Sequence, residues 1–100
     1  MKTMTAEELV QLLDANEELN IIDVREDFEV ANGMIPGAVH IPLGFLPERL
    51  KELDPSKEYI IVCHSGYRSS MACQYLEENG FQATNLEGGM ESYDGELEFK

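Results

Sequence analysis

The chain has 100 residues, enough for a single domain with a core of its own, because a chain of this size buries roughly two thirds of its unfolded surface. A net charge of −13 keeps it in solution and repels nucleic acid and anionic membranes, so neither is expected as a partner. No apolar run approaches a membrane span, and the start, Met1 to Glu8, lacks the basic beginning and apolar stretch of a signal peptide, which predicts a cytosolic protein.

In chain order, Thr5 with Glu8 three residues later is a capping-box signature. It opens a helix from about Ala6 to Ala15 with Leu9, Leu12 and Leu13 on one face. Asn20 to Val24 is an apolar strand interrupted only by Asp23, and Glu26 to Ala31 is a short helix or turn carrying Phe28. Val39-His40-Ile41 makes a short strand between Pro36-Gly37 and Pro42. Pro47 to Leu53 predicts a helix whose face is shared by Leu46, Leu50 and Leu53, ended by Asp54-Pro55-Ser56. Tyr59 to Val62, the most apolar strand, is expected at the centre of a sheet. A helix from Ser69 to Asn79 buries Ala72, Tyr75 and Leu76 and is capped by Asn79-Gly80. Ala83 to Leu86 is the last clear strand, and Asp94 to Lys100 is left without an element. Strands alternating with helices mean an α/β domain with a mostly parallel sheet.

Cys63-His64-Ser65-Gly66-Tyr67-Arg68 stands between the central strand and the following helix. A cysteine there meets loop N–H groups, a helix N-terminus and, in Arg68, a permanent cation. All three favour a thiolate and would hold an anion carried on its sulfur. His64, Ser65, Gly66 and Tyr67 supply the backbone of the cradle, and Gly66 permits a turn other residues resist. A merely buried structural cysteine would give no reason for Gly66 and Arg68 to accompany it. Two cysteines in a reducing compartment also favour a reactive thiol over a disulfide.

The C-x-x-G-x-R loop between strand and helix resembles the active-site loop of the rhodanese family of sulfurtransferases. Three other segments are similar to that family's elements and fall in its order: Ile21-Ile22-Asp23-Val24-Arg25, Gly33 to Pro42 with its I-P-G-A-V-H-I-P, and Asn85-Leu86-Glu87-Gly88-Gly89-Met90. Together they cover roughly residues 3 to 93. The resemblance implies a three-layer α/β/α domain with a five-stranded, mostly parallel sheet and a site at the strands' carboxyl ends. It implies that Cys63 takes sulfur from a donor such as thiosulfate, becomes a persulfide, and passes the sulfur to cyanide, a small thiol or a protein thiol, by ping-pong kinetics. Arg68 would hold the anionic part of the donor. Asp23 and Arg25 are expected to form a structural ion pair, and Gly88-Gly89 a turn beside the loop. Met34 and Tyr93 depart from the family pattern, which usually has histidine and tryptophan there.

Loop length separates this chemistry from the cysteine-dependent phosphatases and arsenate reductases, which resemble H-C-x5-R. Here Val62 precedes the cysteine, four residues separate Cys63 from Arg68, and Ser69 stands where the phosphatase arginine would be. The smaller ring suits one added sulfur atom better than a phosphoryl group. A non-catalytic binding module is the other alternative, and such modules often lack the cysteine. No cofactor is expected. Metal is rejected too, since Cys63, His64, Cys73 and His40 match no closed-site spacing. Cys73 is expected in the helix core, His40 as a structural histidine, and the chain as a monomer. Thiosulfate, itself an anion, is expected to show weak apparent affinity that improves as salt screens the acidic protein.

Overall fold

Along Tyr59 to Val62 the side chains alternate between two cores. Tyr59 and Ile61 join one with Ile22, Ala72 and Leu76, and Ile60 and Val62 join the other with Leu9, Ile21 and Leu86. This strand is therefore covered on both faces, as its unbroken apolar run requires. In a computed structural model, which describes residues 1–99, the run is β4 (Glu58–Val62), at the middle of a five-stranded sheet. The others are β1 (Lys2–Met4), β2 (Ile21–Asp23), β3 (Val39–His40) and β5 (Gln82–Leu86), in the order β1-β5-β4-β2-β3. Every pairing within it is parallel, with Ile61 of β4 opposite both Ile22 and Asn85. The rhodanese-like α/β architecture expected from the motifs is the one observed.

The connections are α1 (Ala6–Asp14), α2 (Asp27–Val30), α3 (Leu46–Arg49), α4 (Tyr67–Glu78) and α5 (Gly89–Ser92). The capping box of α1 is complete, with the Thr5 hydroxyl accepting from the Glu8 N–H at 3.1 Å and Glu8 Oε1 accepting from the Thr5 N–H at 3.0 Å. α4 packs on the core that holds Cys63 and Cys73, and Leu9 of α1 lies in the opposite one.

Three expectations need correction. The fifth strand is β1, for which the sequence predicts no element: only Met4 of its three residues is even half-buried, so it has no apolar pattern, and pairing with β5 alone makes it a strand. The helix expected from Pro47 to Leu53 is instead a chain of short turns, 3-10 at Leu43–Phe45, α3, then 3-10 at Leu50–Glu52. Arg49 ties these turns back to β3 by donating to the His40 carbonyl at 3.1 Å, while Leu46, Leu50 and Leu53 still reach one core. Finally, α4 starts two residues earlier than expected. Gly66 is left-handed at φ 101° and turns the chain straight into the helix, so Tyr67 and Arg68 belong to its first turn.

The C-terminal segment packs back on the domain. Met34 and Glu98 exchange backbone hydrogen bonds at 2.9 and 2.7 Å, an isolated antiparallel bridge, and this sets Leu97 against Gly33. No helix among the described residues is long and apolar enough to cross a membrane.

Candidate active site

Cys63 follows directly on β4, and its side chain is almost fully buried. Two groups meet its sulfur. The Gly66 N–H donates to Sγ at 3.0 Å, which the left-handed Gly66 makes possible, and Ser69 Oγ lies 3.2 Å away. The Ser69 hydroxyl also donates to Asn85 Oδ1. A hydroxyl has one proton, so with that proton on Asn85 the bond to Sγ is one that a thiol donates. Turning the same proton toward the sulfur gives a thiolate a second donor beside Gly66. Asn85 in turn donates to the Gly66 carbonyl at 3.3 Å, tying β5 to the loop.

The loop is braced from the other side by α5. The N–H groups of Met90 and Glu91 donate to the carbonyls of Cys63 and His64 at 2.9 and 3.0 Å. That approach leaves no room beside Gly89, whose φ is 53° and where a Cβ would collide with the Cys63 and His64 carbonyls. The Gly88-Gly89 pair thus forms the turn expected beside the loop.

Of the cradle residues, Gly66 alone aims its N–H at the sulfur within hydrogen-bond geometry. His64 points away, its Nε2 2.9 Å from Glu91 Oε1, and Ser65 and Tyr67 are exposed. Arg68 is near Cys63 but does not face the loop as an open cation. Its Nη1 and Nη2 donate to Glu29 Oε1 and Oε2, each at 2.7 Å. Glu29 is itself fixed, because Oε1 also accepts the Glu26 N–H at 2.9 Å in a second capping box.

The charge-assisted bond from Arg68 pulls the Glu29 carboxyl down to about 2, against the opposing effect of burial and with help from the Glu26 N–H. A lowered carboxyl contributes stability that is present above its unfolded value near 4.5 and lost as pH falls toward 2. The gap in urea midpoint between the unmodified chain and Glu29→Gln should therefore shrink as pH drops from about 6 to about 2.5. A gap that is constant over that range would mean that the carboxylate contributes nothing through Arg68.

Asp23 and Arg25 form the expected ion pair. Asp23 is 1% and Arg25 5% exposed, with Arg25 Nη2 2.8 Å from Asp23 Oδ2 and also 2.8 Å from the Gly33 carbonyl. The pair ties the end of β2 to the turn before Met34 and does not touch the sulfur. His40 is structural, its Nε2 2.7 Å from the Arg25 carbonyl. Cys73 is fully buried on α4, and burial, with Glu77 adding to it, pushes its thiol up to about 12. Of the two unpaired cysteines, Cys73 is thus the one held as an inert thiol. Among the described residues no group of His, Cys, Asp and Glu side chains is arranged as a metal site.

An open cleft of about 410 Å³ lies beside the loop, lined by Phe28, Glu29, His64, Met90, Tyr93 and Leu97 among others. Four contributors were not expected from sequence. Glu29 carried one signal, its spacing from Glu26, but nothing local pairs it with a residue 39 positions away. Ser69 and Asn85 meet only because Gly66 starts α4 early, and Leu97 arrives through the bridge between Met34 and Glu98.

The rhodanese-like domain model matches residues 5–96. The chain belongs to the rhodanese-like domain family. A Bacillus subtilis (strain 168) protein, provisionally named a sulfurtransferase, is 50% identical over 100 residues, covering all of this chain and 97% of that protein. A thiosulfate sulfurtransferase of Shewanella oneidensis is 31% identical over 93 residues, covering 92% of this chain and 91% of the relative. The crystal structure of a rhodanese-like domain protein from Staphylococcus aureus superposes with a TM-score of 0.94 at 42% identity, over 100% of this chain and 99% of that one. These likenesses support sulfur transfer as the general chemistry of this rhodanese-like domain. Leu97, on the cleft wall, lies just past the segment that the family model matches.

Proposed function

We propose that this rhodanese-like domain is a sulfurtransferase that carries sulfane sulfur as a persulfide on Cys63. The observation that carries the reading is the short loop itself: Sγ, at the carboxyl end of the central strand, is met by the Gly66 N–H at 3.0 Å and by Ser69 Oγ at 3.2 Å. An added sulfur, about 2 Å beyond Sγ, is small enough for such a ring. In the first half-reaction the Cys63 thiolate attacks the outer sulfur of thiosulfate. A new S–S bond forms, the old one breaks, and sulfite leaves with the electron pair. In the second, cyanide, a small thiol or a protein thiol attacks the outer persulfide sulfur, and the Cys63 thiolate departs with its pair. Arg68 balances the anions of both steps once a donor reaches it, with His64, Ser65 and Tyr67 framing the mouth and Asp23 and Arg25 supporting the strand end. No cofactor is needed. We place it in the cytosol, a reducing compartment in which a free Cys63 thiol persists.

The test is the intact mass of the reduced protein after thiosulfate, followed by cyanide and a thiocyanate assay. A gain of one sulfur atom that cyanide discharges as thiocyanate is the expected result. No gain from thiosulfate or from an organic sulfane donor sinks the proposal.

A further inference from the structure

The three basic side chains around the site each face a carboxylate. Arg25 pairs with Asp23 at 2.8 Å, His64 with Glu91 at 2.9 Å, and Arg68 with Glu29 through both ends of its fork. The third pair differs in consequence, because Arg68 ends the Cys63 loop and its guanidinium feels the charge on Cys63. Glu29 takes the Nη1–Nη2 end of the guanidinium, one of the edges a sulfonate or sulfate would use, since both carboxylates and such oxyanions bind through paired N–H groups. The Glu29 carboxylate is not a loose surface group: its side chain is 17% exposed and the Glu26 N–H holds it from behind at 2.9 Å. A dianion entering here must displace an anchored carboxylate inside a protein of net charge −13. A donor with one negative charge, on the sulfur to be transferred, has no second anionic group to place on Arg68. Phe28 and Tyr67, neighbours of Glu29 and Arg68 in sequence, are 74% and 73% exposed and give such a donor's apolar body a surface to lie against.

From this we infer that Glu29 is a specificity-determining residue: it occupies the Nη1–Nη2 end of Arg68, sets a carboxylate beside any anion that binds there, and biases sulfur uptake toward monoanionic organic sulfane donors over inorganic dianions. The inference rests on the sulfurtransferase reading above. Methanethiosulfonate makes the comparison clean, because it is thiosulfate with a methyl group in place of one anionic oxygen. The Cys63 thiolate attacks its outer sulfur, the new S–S bond forms, and methanesulfinate leaves with the electrons of the broken bond, so the steps balance as they do for thiosulfate.

The experiment compares the unmodified chain with Glu29→Gln, with thiosulfate and methanethiosulfonate as donors and cyanide as acceptor. The ratio of kcat/KM for thiosulfate to that for methanethiosulfonate should rise about three- to tenfold in the variant. A second readout needs no turnover: the rate of Cys63 alkylation by iodoacetate relative to iodoacetamide, followed by peptide mass, should rise in the same direction. Both ratios unchanged or lower would overturn the inference and leave Glu29 as a brace for Arg68. A third measurement needs no variant. In the unmodified chain kcat/KM for thiosulfate should rise with ionic strength more than that for methanethiosulfonate, whereas a fall would mean an open Arg68 that attracts the dianion and would overturn the inference. If the unmodified chain takes sulfur from neither donor, the sulfurtransferase reading itself fails and the donor bias falls with it; the alkylation ratio tells this apart from a failure of Glu29 alone.

Discussion

Cys63→Ser should take up no sulfur from thiosulfate and form thiocyanate at no more than the background rate. The substitution is close to isosteric, and a hydroxyl can still meet the Gly66 N–H and Ser69 Oγ, so the variant is expected to stay folded by circular dichroism. What it lacks is a nucleophile: a serine hydroxyl is not ionised near neutral pH, and no general base stands beside it to take its proton. Cys73→Ala is the matching control and should keep the mass gain, because the Cys73 thiol is buried and pushed up to about 12. Uptake that survives in Cys63→Ser but disappears in Cys73→Ala would move the chemistry to the helix core and sink the assignment of Cys63.

Arg25→Ala should produce the largest loss of stability of any substitution considered, about 3–5 kcal/mol. Its guanidinium meets Asp23 through Nε at 3.0 and 3.1 Å and through Nη2 at 2.8 Å, and it also holds the Gly33 carbonyl. Removing it leaves the Asp23 carboxylate at 1% exposure with only the N–H of residue 25 as donor. Breaking one side of a buried pair costs far more than the pair as a whole contributes, because the stranded charge keeps its desolvation penalty. With domain stabilities near 5–15 kcal/mol, such a loss brings the chain close to unfolding at ordinary temperature. The urea midpoint is the readout. A loss below about 1 kcal/mol would mean that water or a rearranged donor satisfies Asp23, as at an exposed pair.

Much of this arrangement was legible in the residues, for reasons that differ element by element. The Tyr59 to Val62 run declared a strand covered on both sides, and Thr5 with Glu8 declared a helix start, because period and capping are local signals. Cys63 could be read because the strand, the cysteine, Gly66 and Arg68 are contiguous. β1 could not, since its register comes wholly from β5, 82 residues further along by the pairing of Lys2 with Thr84. The state of Arg68 could not be read either: the loop announces a cation, whereas the carboxylate that meets it comes from α2 on another segment of the chain. Ser69 lay in plain view as the residue replacing a phosphatase arginine, but its contact with Sγ depends on a helix start fixed by one left-handed glycine.

All five strands run the same way, and the site sits at their carboxyl ends. Lys2 therefore lies at the far end of the sheet from the loop, paired with Glu58 at the beginning of β4, whereas Leu97, on the cleft wall, and Phe99 both lie against Gly33. For anyone wishing to tether this domain to a bead, a dye or another protein, the two extremities are not equivalent. An attachment made near Met1 leaves the cleft open to solvent, and one made near Phe99 begins beside Gly33 and Leu97 and narrows the approach to it.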